Sequence, residues 1–167
     1  MNNKKHLPIF GVGPAYGAVV IVSSLIGIFL SAFDVIDSGK VEEKWAVVLM
    51  IIIGTALCVS GACLWFPTAF GKNSIPKYIT ENKLCVTGVY KIVRNPCYTG
   101  LTFIWIGFLF FAHNLWLFIL PFFYWIVMTA ILKNSEEKWL RQLYGKEYEE
   151  YCMRVNRCIP WFPKKNL

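Results

Sequence analysis

Residues Tyr98 to Leu132 read YTGLTFIWIGFLFFAHNLWLFILPFFYWIVMTAIL, an apolar run without a charged side chain. As one helix it would reach roughly 52 Å at about 1.5 Å per residue, well beyond a hydrocarbon core of about 30 Å. It must fold back. His113 and Asn114 are its only strongly polar residues near the middle, so they are the expected turn of a tight helical hairpin. Pro121 falls in the second arm, where it is expected to free a carbonyl one turn earlier and kink the helix.

Working outward, 56% of the 167 residues are hydrophobic and 16% charged, and the mean hydropathy is positive. The bilayer is therefore the first solvent to consider. Four stretches approach the requirement of about 20 apolar residues: Ala15 to Phe33, Trp45 to Phe66, Pro96 to Ala112 and Leu115 to Leu132. A mildly basic leader precedes the first, yet no small-residue cleavage site followed by a soluble domain is evident, so it is read as a span. The expected fold is all-α: a polytopic membrane protein with four transmembrane helices, a tight C-terminal hairpin and amphipathic helices beyond it. Residues 1–167 read as a single domain.

Charge sets the expected orientation. Lys4 and Lys5 precede the first span, and the loop from Asp34 to Lys44 is acidic on balance. Between Pro67 and Asn95, Lys72, Lys77, Lys83, Lys91 and Arg94 face Glu81 alone, and the tail after Leu132 is again basic. With Lys and Arg retained inside, both termini and the long second loop are expected in the cytoplasm. The formal charge of +7 is then mostly a topology signal. Its residues are dispersed without a nucleic-acid motif, so no nucleic acid is expected as a partner. Six cysteines show no short paired spacing of the kind zinc needs; free thiols and no metal are expected.

The N-terminal HLPIFGVGPAYG is rich in Gly and Pro and suits the interface. Its Gly11-Val12-Gly13 is a weak nucleotide signal, since no strand precedes it. The second span ends at WFPTAF, where Pro67 is expected to stop the helix. Beyond the hairpin, Trp139, Leu140, Leu143 and Tyr144 recur at helical spacing beside Glu136, Glu137 and Arg141, an amphipathic helix that Gly145 is placed to end. A second short helix is expected from about Lys146 to Val155, with Tyr148 and Tyr151 on one face.

KIVRNPCYTGL, from Lys91 to Leu101, sets an arginine, an asparagine and a proline at the threshold of the hairpin. Asn95 is a favoured N-cap and Pro96 suits the first helical position, so these two start the helix by themselves, and Arg94 alone could snorkel to headgroup phosphates. Their conjunction with Glu136 and Glu137 says more. A hairpin returns the chain to the side it left, so a guanidinium and two carboxylates are expected at one mouth. Two acids in isolation would read as a solvated helix face.

At this point the sequence resembles the isoprenylcysteine carboxyl methyltransferase and phospholipid methyltransferase group of integral membrane enzymes. The resemblance rests on Gly88, Tyr90, Arg94, Asn95, Pro96 and Tyr98 in one block. Glu136, Glu137, Leu140, Gly145, Tyr148, Tyr151, Arg157 and Pro160 form the other. It covers roughly residues 84–160, the expected catalytic part. Asn95 stands where the prenylcysteine branch typically has His, a departure that bears on the acceptor more than on the donor. Gly11 and Gly13 are not assigned to the upstream glycine pair of phospholipid enzymes.

The resemblance implies S-adenosylmethionine as donor, held at the cytoplasmic end of the hairpin. Arg94 and the helix start at Asn95 and Pro96 suit its carboxylate, and Glu136 and Glu137 suit its ammonium and ribose hydroxyls. Tyr90, Tyr98, Tyr148 and Tyr151 could stack on adenine or shelter the sulfonium, interfacial anchoring being the plain alternative for each. The acceptor would be a lipophilic molecule entering from the bilayer. Arg157 would hold a carboxylate acceptor, and Glu137 is the first candidate to take a proton from an amine. A sterol reductase-like enzyme using NADPH and a non-catalytic membrane scaffold are the rival readings.

Overall fold

The computed structural model describes residues 11–70 and 83–161. Six α-helices are described: α1 (Gly13–Ala32), α2 (Lys44–Phe70), α3 (Pro96–Phe111), α4 (Ile119–Asn134), α5 (Glu136–Tyr144) and α6 (Lys146–Arg154). Among these residues there is no strand, only an isolated bridge between Lys40 and Asn114. Gly13–Ala32, Lys44–Phe70 and the run Leu115–Tyr144, whose apolar part ends at Leu132, are long and apolar enough to cross a membrane. The protein is an all-α polytopic membrane protein. With 16 residues, α3 reaches only about 24 Å, a mismatch that tilt of its neighbours or local thinning can absorb.

The hairpin turns where the sequence has its polar pair. His113 adopts a left-handed φ of 49°, and the fully buried Asn114 accepts from the Trp116 amide at 3.0 Å. The Asn114 amide group donates to Ser31 Oγ at 3.1 Å and to the Ile36 carbonyl at 2.7 Å. The turn is thereby pinned to the end of α1 and to the loop that follows it. A 3-10 turn over Leu115–Phe118 leads into α4 at Ile119, so Pro121 sits in the first turn. There its missing N–H has no intrahelical partner to lose, and the expected kink is not needed.

Pro67 also behaves differently from expectation, because α2 continues through it to Phe70. A proline so close to a helix end disturbs little of the ladder that follows. The buried Thr68 keeps the last turn together, its hydroxyl donating to the Trp65 carbonyl at 2.6 Å.

The helices pack by small residues and hydroxyls, as apolar helices in lipid must, since oily contact alone gives no preference for protein over acyl chain. Gly54 and Gly61 of α2 face Gly107 and Gly100 of α3. A Cβ on Gly100 would stand 2.7 Å from the Gly61 carbonyl, and one on Gly107 would stand 2.6 Å from that of Gly54. Gly100→Val is expected to cost about 1–3 kcal/mol through overpacking, read as a lower unfolding midpoint in nanodiscs. An unchanged midpoint would show that the helices can part there without loss. Across the other side of α3, the Tyr16 hydroxyl meets Thr102 Oγ1 at 2.6 Å. Tyr124 of α4 meets Ser24 of α1 at 2.7 Å. The bundle core forms around Tyr16, Val20, Tyr98, Leu109, Tyr124, Met128 and Leu132.

Candidate active site

Arg94 and Glu137 emerge from the same end of the hairpin and touch. Glu137 lies in the first turn of α5, two residues past Ser135, where the axis breaks between α4 and α5. It is only 2% exposed. Arg157 grips it with two parallel bonds, Nε to Oε1 at 2.6 Å and Nη2 to Oε2 at 2.9 Å, the fork geometry in which guanidinium and carboxylate pair most strongly. Arg94 Nη2 stands 3.3 Å from Oε1, with its side chain 8% exposed. Burial alone would push the Glu137 carboxyl up, but the Arg157 bonds and the Arg94 charge outweigh it and hold Glu137 below the usual carboxylate range.

Two cations thus share one anion in a buried place. The guanidinium of Arg94 lies over the Tyr148 ring, 6.0 Å from its centroid, and Nη1 contacts the Cys152 thiol. Among the described residues its buried Nε has no partner. A buried donor without an acceptor costs about 1–3 kcal/mol.

The chain after α6 is tied to the start of α3 residue by residue. The Arg94 amide donates to the Asn156 carbonyl at 2.9 Å, the Asn95 side chain to the Arg157 carbonyl at 3.0 Å, and Thr99 Oγ1 to the Cys158 carbonyl at 2.9 Å. Asn95 does occupy the N-cap position before Pro96, but its side chain makes no capping bond. It is spent on positioning Arg157 instead.

Glu136 points elsewhere. It accepts from the Tyr98 hydroxyl and, at 3.3 Å, from the amide of Val12 at the foot of α1. Burial raises its carboxyl above the ordinary value, with those two hydrogen bonds pulling the other way. Gly11, at a φ of +47°, lies so close that a Cβ would collide with Glu136. Tyr98 in turn packs on Tyr16, ring centroids 5.6 Å apart.

Behind both acids, Tyr90, Tyr148, Tyr151 and Val155 form a second small core, with the Tyr151 hydroxyl donating to the Tyr90 carbonyl at 2.6 Å. Gly145 ends α5 with a φ of +51° and lets α6 turn its Tyr148 and Tyr151 face inward. Burial pushes both phenols up.

The candidate site residues therefore gather at one end of the bundle, in two groups with a tyrosine pair behind. Arg94, Glu137, Arg157 and Tyr148 touch one another, with Asn95 and Pro96 at their base; Tyr98 and Glu136 form the second group; Tyr90 and Tyr151 pack behind. Sequence reasoning missed Cys152, which packs with Tyr148 and Tyr151 of α6 and its C-cap Val155 at the i, i+3, i+4, i+7 spacing. It also left aside the Gly11-Val12-Gly13 stretch, whose clue was its pair of glycines.

The family model of phospholipid methyltransferases matches residues 44–147, more than half of the chain and the whole segment from α2 through Glu136 and Glu137. The chain belongs to the phospholipid methyltransferase family. It is 31% identical over 133 residues to a rice protein named "Probable protein-S-isoprenylcysteine O-methyltransferase" (Oryza sativa subsp. indica), covering 73% of this chain and 65% of that one. A protein-S-isoprenylcysteine O-methyltransferase B of Arabidopsis thaliana is 25% identical over 160 residues, 84% of this chain and 73% of the relative. A Delta(14)-sterol reductase of Mus musculus is 34% identical over 102 residues, 57% of this chain. The chain spans 23% of that reductase's length. No solved structure matches it significantly. Tyr148, Tyr151 and Arg157 lie beyond the family match, so their place beside Glu137 rests on geometry alone.

Proposed function

We propose that this membrane methyltransferase uses S-adenosylmethionine to methylate a lipophilic acceptor drawn from the bilayer. The acceptor is either the carboxylate of an isoprenylcysteine-like molecule or the amine of a phospholipid headgroup. The observation that carries the reading is the buried surplus of positive charge at Arg94, Glu137 and Arg157, with Arg94 Nε left over. Such a surplus calls for an anionic group, and a carboxylate of the donor answers it. Bound there, the donor supplies an activated methyl group on a sulfonium.

Arg94 would bind the donor's carboxylate beside the start of α3. Glu137, with both oxygens already engaged, would hold the two arginines in place, and Arg157 would steady a carboxylate acceptor. Glu136 is the carboxylate better placed to receive the donor's ammonium, or a proton from an amine acceptor. Tyr98 would orient it, and Tyr90, Tyr148 and Tyr151 would form an aromatic wall that keeps water from the transferring methyl. Methyl transfer is an in-line displacement, so alignment is the main work left to the protein. By the charge pattern of the loops, this end of the bundle faces the cytoplasm.

The 34% identity to the sterol reductase favours a second reading, in which the same surplus of charge holds an NADPH phosphate. Purified protein in nanodiscs, given native lipid extract and methyl-labelled donor, is expected to yield a labelled lipid identifiable by mass spectrometry. Lipid-dependent oxidation of NADPH without labelled product would overturn methyl transfer in favour of reduction.

A further inference from the structure

The last described residues bring an apolar edge to the place where α3 enters the bilayer. Cys158 packs into the membrane-level core with Tyr98 and Leu132, and its carbonyl is held by Thr99, one turn inside α3. The Trp161 amide returns to the Ile92 carbonyl at 3.2 Å. Residues 156–161 therefore run alongside the first turn of α3 and share its depth. At that depth Ile92, Ile159 and Trp161 are 42%, 57% and 63% exposed. Lys91 and Arg154 are exposed on the flanking segments.

We propose that Ile92, Ile159 and Trp161 form an interfacial anchor, dipping into the boundary between headgroups and acyl chains of the leaflet on the site's side. The occupant of this edge is the bilayer itself. The hydrogen bonds to α3 make the edge continuous with the lipid-facing surface of the bundle. An indole suits that boundary, and exposed basic residues beside it suit anionic headgroups. The anchor has a consequence for the site. Arg157 lies between Asn156 and Cys158, so lipid contact at Ile159 and Trp161 helps to keep its fork on Glu137. The inference stands whichever reaction the site performs.

The test uses the full chain in phospholipid nanodiscs with fluorine-labelled tryptophan. The Trp161 resonance is assigned by its absence in Trp161→Phe. A nitroxide carried high on a lipid acyl chain is expected to broaden the Trp161 signal to loss, as it does Trp125 on the exposed side of α4, while an aqueous gadolinium chelate leaves Trp161 sharp. The reverse pattern, broadening by gadolinium and none by the nitroxide, is what a water-facing or protein-docking patch would give, and it would overturn the anchor. Ile159→Asp, with Trp161 in place, is expected to lift the edge and abolish the nitroxide effect. Persistence of that effect in Ile159→Asp would also overturn the anchor.

Discussion

Glu137→Ala is expected to lower the stability of the folded protein by about 3–5 kcal/mol, the usual cost of removing one partner from a buried ion pair. The loss arises because two guanidiniums then face each other with no anion between them, and Arg94, 8% exposed, reaches little water while Arg157, at 27%, is only partly solvated. Arginine cannot shed its proton to escape. The same pairing gives a pH signature. Because Glu137 is held below the usual carboxylate range in the fold, its contribution is complete above an unfolded value of about 4.3 and is lost as pH falls through the lower folded value. Glu136 is raised instead and titrates in the opposite sense, so the comparison is wild type against Glu137→Gln. The difference between their unfolding midpoints in nanodiscs is expected to be flat near neutral pH and to shrink on acidification. A loss below about 1 kcal/mol, the worth of a solvated surface pair, would show that water reaches the cluster.

Arg94→Ala is expected to behave differently. Arg157 keeps both of its bonds to Glu137, 2.6 and 2.9 Å, so the buried acid retains its counter-charge and the fold loses less than in Glu137→Ala. The surplus positive charge disappears with Arg94. Donor affinity, or kcat/KM for the donor, is expected to fall by about 1.5–3 kcal/mol, roughly 10- to 150-fold, the worth of a hydrogen bond to a charged group. Calorimetric titration of the variant, with its unfolding midpoint measured alongside, separates the two effects. Unchanged affinity and turnover in a folded variant would remove Arg94 from the site.

Much of this was legible in the sequence, for reasons that can be named. The hairpin turn was, because His113 and Asn114 are the only strongly polar residues in an apolar run too long for one helix, and no other break satisfies the bilayer. The break at Gly145 was, because a left-handed φ selects glycine. The end of α2 was not: Pro67 signals a stop, and only the packing of Thr68 decides that the helix runs on. Asn95 reads locally as a capping residue, whereas its side chain is spent on a carbonyl far along the chain. The two acids misled in a related way. Adjacent residues on a helix point about 100° apart, so Glu136 and Glu137 could not serve one ligand alike, and which one met the arginines depended on chain folding after α6. The contact of Gly11 and Val12 with Glu136 joins opposite ends of the sequence, which no local pattern encodes.

The central claim is that the hairpin brings the Arg94–Glu137 cluster and the neighbouring Glu136 to one end of the bundle, where they seat a sulfonium nucleoside, and calorimetric titration of the nanodisc-embedded protein with S-adenosylhomocysteine tests it most directly. Saturable binding by the wild type, weakened in Arg94→Ala and not reproduced by NADPH, is the expected result. Absence of binding by the folded wild type, or equal affinity in the two proteins, would contradict it.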